Sequence, residues 1–121
     1  MSDAEPTVTR RQDGAVAILT LSNPKRRNAF SPELRTALVG HLDAIAVDDA
    51  VRAILLTGAG GTFSAGGDLS TMQDMTAFEG RERIRAGRRM VEALWGSEKP
   101  IVAAVDGFAF GAGLSLALLA D

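Results

Sequence analysis

The chain has 121 residues, 46% of them hydrophobic and 23% charged, which fits one globular domain with a buried core and excludes a disordered or collagen-like chain. Its 13 basic and 15 acidic residues leave a formal charge of -2, so bulk charge draws no polyanion and speaks against nucleic acid as a partner. The absence of cysteine excludes disulfides and cysteine-ligated zinc.

"MSDAEPTVTR" lacks the apolar core of a signal peptide, and no apolar run reaches the roughly 18 residues of a membrane helix. A soluble cytoplasmic protein with no membrane partner is expected. "TVTRRQDGAVAILTLS" predicts two strands joined at Asp13-Gly14, a hairpin pair. In the second strand Val16, Ile18 and Thr20 alternate with Ala17, Leu19 and Leu21, so both faces are partly apolar. "NPKRRNAFSP" is a loop by its Asn, Pro and charge content. Ser31 is placed as an N-cap with Pro32 at the first helical position, and Leu34, Leu38, Leu42, Ile45 and Ala46 keep helical spacing to about Val47.

"VRAILLTG" predicts a strand, followed by the glycine-rich "GTFSAGGDLS", with one or two helical turns within Asp68 to Met75. A helix is predicted from Thr76 to Trp95, with Ile84, Val91, Leu94 and Trp95 on an apolar face and Arg81, Arg83, Arg85, Arg88 and Arg89 on a basic one. "IVAAVDG" predicts another buried strand and "FAFGAGLSLALLAD" a buried helix. The order β-β-α-β-α-β-α argues for α/β layers. The last segment is apolar almost to Asp121, so the chain is expected to be the N-terminal part of something longer.

Two places share one layout. "ILLTGAGGTFSAGGDLS" and "IVAAVDGFAFGAGLSLA" each run from an apolar strand through a glycine-rich loop into a helix start. Such a corner presents free N–H groups with partial positive charge, and glycine lets a ligand approach the backbone. Two corners across a cleft aim two donors at one oxygen, the arrangement that stabilises an oxyanion. A pair of tight turns with no ligand fits the same residues.

Other motifs fit poorly. "GAGGTF" fails the dinucleotide fingerprint at its third glycine, and no Gly-Lys-Ser/Thr is present. "GLSLA" approaches a nucleophile elbow, but Ser115 lies ten positions after Val105 and the only histidine, His41, is upstream in a predicted helix, so a serine hydrolase is disfavoured. His41 is read as a surface or satisfied helix residue and Trp95 as core or a subunit contact. The basic face of the second helix reads as solvated, with steering of an anionic ligand as its alternative role. Met72 and Met75 suit either packing or an acyl pocket.

"NPKRRNAFS", "VRAILLTGAGGTFSAGGDLSTM" and "KPIVAAVDGFAFGAGLSLALLAD" together resemble the crotonase family, the enoyl-CoA hydratase/isomerase superfamily, from about Val8 to Asp121. The resemblance implies an α/β fold, a spiral of β-β-α units, with residues 1–121 as the N-terminal part of a single domain truncated before the C-terminal helical region. It implies a homotrimer or a dimer of trimers. It also implies acyl-CoA thioester substrates, with coenzyme A as part of the substrate and no other cofactor or metal. By position, the oxyanion donors are the backbone amides of Gly67 and Ala112. The loop Lys25, Arg26, Arg27, Asn28 and Ala29 is where the family places the CoA adenosine and phosphates, and three adjacent cations suit that ligand. Ala65 and Gly66 take the positions that touch adenine and pantetheine, and Asp68 and Leu69 start the helix behind the first donor.

One position departs from the family. Its hydratases carry a glutamate three residues after the second donor, where this chain has Ser115. A serine hydroxyl is no general acid or base near neutral pH without help. The second hydratase glutamate would fall beyond Asp121, which itself matches a non-catalytic helix-end aspartate. Hydration, double-bond isomerisation of the phenylacetate-degradation type, another chemistry of the family, and CoA binding without catalysis all stay open at this point. The 121 residues alone are expected to bind CoA poorly and to catalyse no hydration.

Overall fold

A computed structural model describes residues 5–121. Strands β1 (Thr7–Asp13) and β2 (Val16–Ser22) form the antiparallel hairpin. Asp13 pairs with Val16, so the two-residue turn is Gly14-Ala15, one position later than expected. Gly14 takes the left-handed φ of 59° that so short a turn requires, and Asp13 stays in the ladder. β2 pairs in parallel with β3 (Ala53–Gly58), and β3 in parallel with β4 (Ile101–Ala103), giving the order β1-β2-β3-β4. Helices α1 (Pro32–Ala46) and α2 (Ala77–Trp95) connect the parallel strands, and α3 (Ala112–Leu119) follows β4. The expected α/β element order is the observed one.

The helix boundaries follow from local chemistry. Ser31 Oγ accepts the Leu34 N–H at 3.2 Å with Pro32 behind it, so α1 starts where its orphan donors find a cap. At its other end the Lys99 ammonium donates to the carbonyls of Ile45, in the last turn, and Asp48, just beyond it. In α2 the Thr76 and Glu79 side chains cap each other's backbone N–H groups, a capping box. The core lies between the sheet and the helices. Leu19, Leu21, Phe30, Leu34, Leu38, Leu56 and Phe63 are essentially solvent-free, each worth about 1.5–3 kcal/mol of burial. His41 Nε2 lies 2.7 Å from the Val8 carbonyl oxygen, a satisfied helix residue as read above.

Three expectations need correcting. β4 is only Ile101–Ala103, because the chain leaves the sheet after Ala104 to pair with the loop that follows β3. In α2 the inward face runs Gly80, Arg83, Gly87, Met90 and Leu94, at alternating spacings of three and four. Ile84 and Trp95 are 69% and 76% exposed, so Trp95 belongs to no core among the described residues. Apolar periodicity names two stripes on this helix, and packing on α1 and the core selects the one that carries Met90 and Leu94. α3 buries only Gly113 and Leu116, while Leu114 and Leu118 are exposed. None of the helices among the described residues is long and apolar enough to cross a membrane.

Candidate functional site

Because β2, β3 and β4 run parallel, their C-terminal ends lie at one edge of the sheet, and three loops leave it there: 23–31, 59–68 and 104–111. Ligands of open α/β sheets bind outside the carboxyl ends of strands, so this edge is the place to look for chemistry.

The first loop is built on buried side chains. Asn28 Nδ2 donates to the carbonyls of Ala59 and Thr62, both at 2.9 Å, while its Oδ1 accepts the Asn23 N–H. Asn23 Nδ2 donates to the Ala29 carbonyl, and Ser64 Oγ donates to the Asn28 carbonyl at 2.7 Å. Arg27 and Asn28 sit in the left-handed region, with φ of 51° and 60°. The chain therefore turns sharply after the 3-10 turn Pro24–Arg26, and its next residues lie along the second loop: Ala65 N–H donates to Arg27 O, and Phe30 N–H to Gly66 O at 2.7 Å.

The second and third loops extend the β3–β4 pairing beyond the strands. Phe63 and Ser64 N–H both donate to the Phe108 carbonyl, and Phe110 N–H donates to Ser64 O at 3.0 Å. Gly66 has a φ of 98°, and a Cβ there would lie 2.7 Å from Phe110 O and 3.5 Å from Ala112 N. Gly113 has no room for a Cβ either, since it would meet the Ser64 carbonyl oxygen at 2.6 Å. The two glycine corners thus touch through main-chain atoms. Gly113→Ala is expected to force them apart at a cost of about 1–3 kcal/mol. A thermal melt of the variant checks this, and an unchanged midpoint would contradict the tight fit.

Each residue singled out in the sequence has a definite place. The N–H groups of Gly67 and Ala112 donate no hydrogen bond among the described residues, whereas the neighbouring amides of Gly66, Gly113 and Ser115 are taken by Ser64 Oγ, Phe110 O and Gly111 O. Ala112 is the first residue of α3, so its amide carries the dipole of that helix start. Ser115 is exposed on the first turn of α3, its hydroxyl donating to Gly111 O at 3.3 Å. Ala29 is buried and Ala65 half-buried, both bound through the backbone. Asp68 is buried and caps the 3-10 turn Leu69–Thr71 through Ser70, rather than sitting within a first helical turn, and Leu69 is exposed.

The three cations do not form one patch. Lys25 and Arg26 line a concavity of about 240 Å³ with Ser31, Glu33, Asp68 and Thr71. Arg27 lies on the other side of the loop, its guanidinium 5.7 Å from the centroid of Phe108, which stacks on Phe110. The left-handed backbone at Arg27 and Asn28 separates them.

Sequence reasoning missed Asn23 and Ser64, gave Asn28 no structural role and gave Arg35 no role at all. It also grouped Arg83 with the solvated arginines of α2. Asparagine at a left-handed position was the one available signal for Asn28. Arg83 is half-buried: Nη1 donates to Thr71 Oγ1 at 2.8 Å, and Nη2 lies 3.3 Å from where a Gly67 Cβ would stand. Arg35 is 8% exposed, and its Nε has no hydrogen-bond partner. Burial, and then the nearby Arg83 charge, hold the Arg35 guanidinium below its usual pKa, with Glu33 opposing them.

Comparison with known proteins bears on this edge. A family model described as Enoyl-CoA hydratase/isomerase matches residues 11–121. A putative enoyl-CoA hydratase of Thermus thermophilus is 40% identical over 113 residues, covering 91% of this chain and 45% of that protein. The short-chain-enoyl-CoA hydratase of Clostridium acetobutylicum is 37% identical over 94% of this chain and 44% of its own length. The solved enoyl-CoA hydratase of Polaromonas sp. JS666 superposes with a TM-score of 0.88 at 37% identity, over 95% of this chain and 46% of that one. The chain spans about half the length of the curated relatives it matches.

Proposed function

The chain belongs to the enoyl-CoA hydratase/isomerase family, and from that premise we propose that the protein acts on acyl-CoA thioesters, holding the thioester carbonyl oxygen between the amides of Gly67 and Ala112. The observation that carries this reading is that these two N–H groups stay unengaged on corners that touch each other. Hydrogen bonds from both would draw electron density from the carbonyl. The α-carbon becomes more acidic and the β-carbon more electrophilic. Negative charge developing on the oxygen, as an enolate forms, meets donors already in place. Each such donor contributes roughly 3–4 kcal/mol to transition-state stabilisation. Lys25 and Arg26, beside the same edge, suit the phosphates of coenzyme A.

This chemistry serves addition of water to a 2-enoyl thioester or migration of a double bond. Ser115 favours the second. It sits on the helix turn beside the Ala112 donor, its hydroxyl is turned to the Gly111 carbonyl, and it has no means to activate water near neutral pH. Isomerisation asks only that one group move a proton between the α and γ carbons. Assay of the intact protein with crotonyl-CoA and with a 3-enoyl-CoA separates the two. Turnover of the 3-enoyl thioester with slow hydration of crotonyl-CoA is the expected result. Tight binding of both with turnover of neither would instead mark a CoA-binding protein without catalysis.

A further inference from the structure

Between α1, α2 and the 3-10 turn Leu69–Thr71 runs a groove of about 340 Å³. Pro32, Met75, Phe78 and Ala86 give it apolar walls. Arg35 and Arg83 enter it from opposite helices, and neither forms an ion pair among the described residues. Glu79 and Glu82 also line it, each with a partner other than these two arginines: Glu79 Oε1 accepts the Thr76 N–H, and Glu82 Oε1 pairs with Arg85 at 3.0 Å. Two like charges face one another in an apolar setting, one of them more than nine-tenths buried with an orphaned Nε. A buried charge without a partner is costly, so a cavity built this way calls for an anion. Arg83 also reaches toward the proposed carbonyl site, its Nη2 lying 3.3 Å from where a Gly67 Cβ would stand, so the groove borders that site.

Building on the acyl-CoA reading above, we propose that this groove takes a carboxylate at the far end of the acyl chain, so that the substrates are mono-CoA thioesters of short dicarboxylic acids. The apolar walls fit a few methylenes. The guanidinium pair fits the terminal carboxylate, with Arg83 as the contact nearer the thioester and the more deeply buried Arg35 as the second. The closeness of Arg83 to Gly67 limits the chain to a short one. A neutral acyl chain offers neither guanidinium an ion pair, and the bulky phosphates of coenzyme A do not suit walls of Met75 and Phe78.

Equilibrium binding to the intact protein tests this without relying on turnover. Glutaryl-CoA and pentanoyl-CoA, equal in chain length and different in the terminal carboxylate, are the probes. Glutaryl-CoA is expected to bind about 10- to 100-fold more tightly, the range of a charge-assisted hydrogen bond. Arg83→Met should erase most of that preference, Arg35→Met should reduce it, and Arg88→Met, on the exposed side of α2, should leave it intact. Equal binding of the two thioesters, or a preference that survives Arg83→Met, overturns the proposal. Turnover of neutral enoyl thioesters without any carboxylate preference sinks this inference alone, whereas a carboxylate preference without turnover of any thioester sinks the enzymatic reading alone.

Discussion

Replacing Gly67 by proline is expected to lower kcat/KM of the intact protein by about 10²- to 10³-fold, the effect of removing one donor from an oxyanion site. Proline has no N–H, so the substitution deletes the proposed reagent itself. Gly67→Ala is the matched control. It keeps the N–H, and its methyl would meet Met72 Cε at 2.8 Å and Arg83 Nη2 at 3.3 Å, both ends of flexible side chains that can swing aside. The alanine variant should therefore keep most of its activity while the proline variant loses it. Circular dichroism on both variants separates loss of a donor from loss of the fold. A folded proline variant within a few-fold of the parent would remove Gly67 from the mechanism. The same measurement at Ala112, as Ala112→Pro, should give a similar loss, because proline is tolerated at the first position of a helix and the missing N–H is the main change there.

Asn28→Ala is expected to destabilise the fold by about 3–4 kcal/mol. The side chain makes three hydrogen bonds, and its removal strands the Ala59 and Thr62 carbonyls and the Asn23 N–H in a largely dry setting, each loss near 1 kcal/mol net. Alanine also tolerates the left-handed backbone at φ of 60° less well than asparagine. Asn28→Asp should be no better, because it sets an anionic oxygen against two carbonyl oxygens. Urea unfolding reads the effect as a fall in midpoint at constant slope. A loss below about 1 kcal/mol would show that the loop does not depend on this network. Since Asn28 ties the cationic loop to the glycine corner, CoA affinity should fall with it.

Much of this was legible in the residues because it depends on local chemistry. Ser31-Pro32 announces a helix start wherever the chain goes, since a capped N-terminus needs only its own first turn. The run Val16–Ser22 predicts a strand partly apolar on both faces, and in the structure Ala17, Leu19 and Leu21 are solvent-free while Val16, Ile18 and Thr20 are half-buried. The two glycine-rich corners read directly as turns because glycine clusters after apolar runs mark where a strand ends. The weaker predictions were those in which local rules allow two answers. The apolar face read on α2, through Ile84, Val91, Leu94 and Trp95, buries only Leu94, which packs inward with Met90 on a neighbouring stripe that helical periodicity fits as well. Its five arginines look alike in sequence, yet Arg83 alone of Arg81, Arg83, Arg85, Arg88 and Arg89 turns inward.

By itself, then, the sequence determined the order of strands and helices, the caps that begin α1 and α2, and the glycines whose missing side chains allow two loops to meet. Those are fixed within a few residues by torsional limits and hydrogen-bonding capacity. Only the tertiary structure decided that the glycine loops touch main chain to main chain, that Asn28 and Ser64 tie the cationic loop to the first of them, and that Arg35 and Arg83 share one groove without an ion pair. Those contacts join residues 30 or more positions apart, and their energy comes from closing space and excluding water between segments, which no local stretch of the chain encodes.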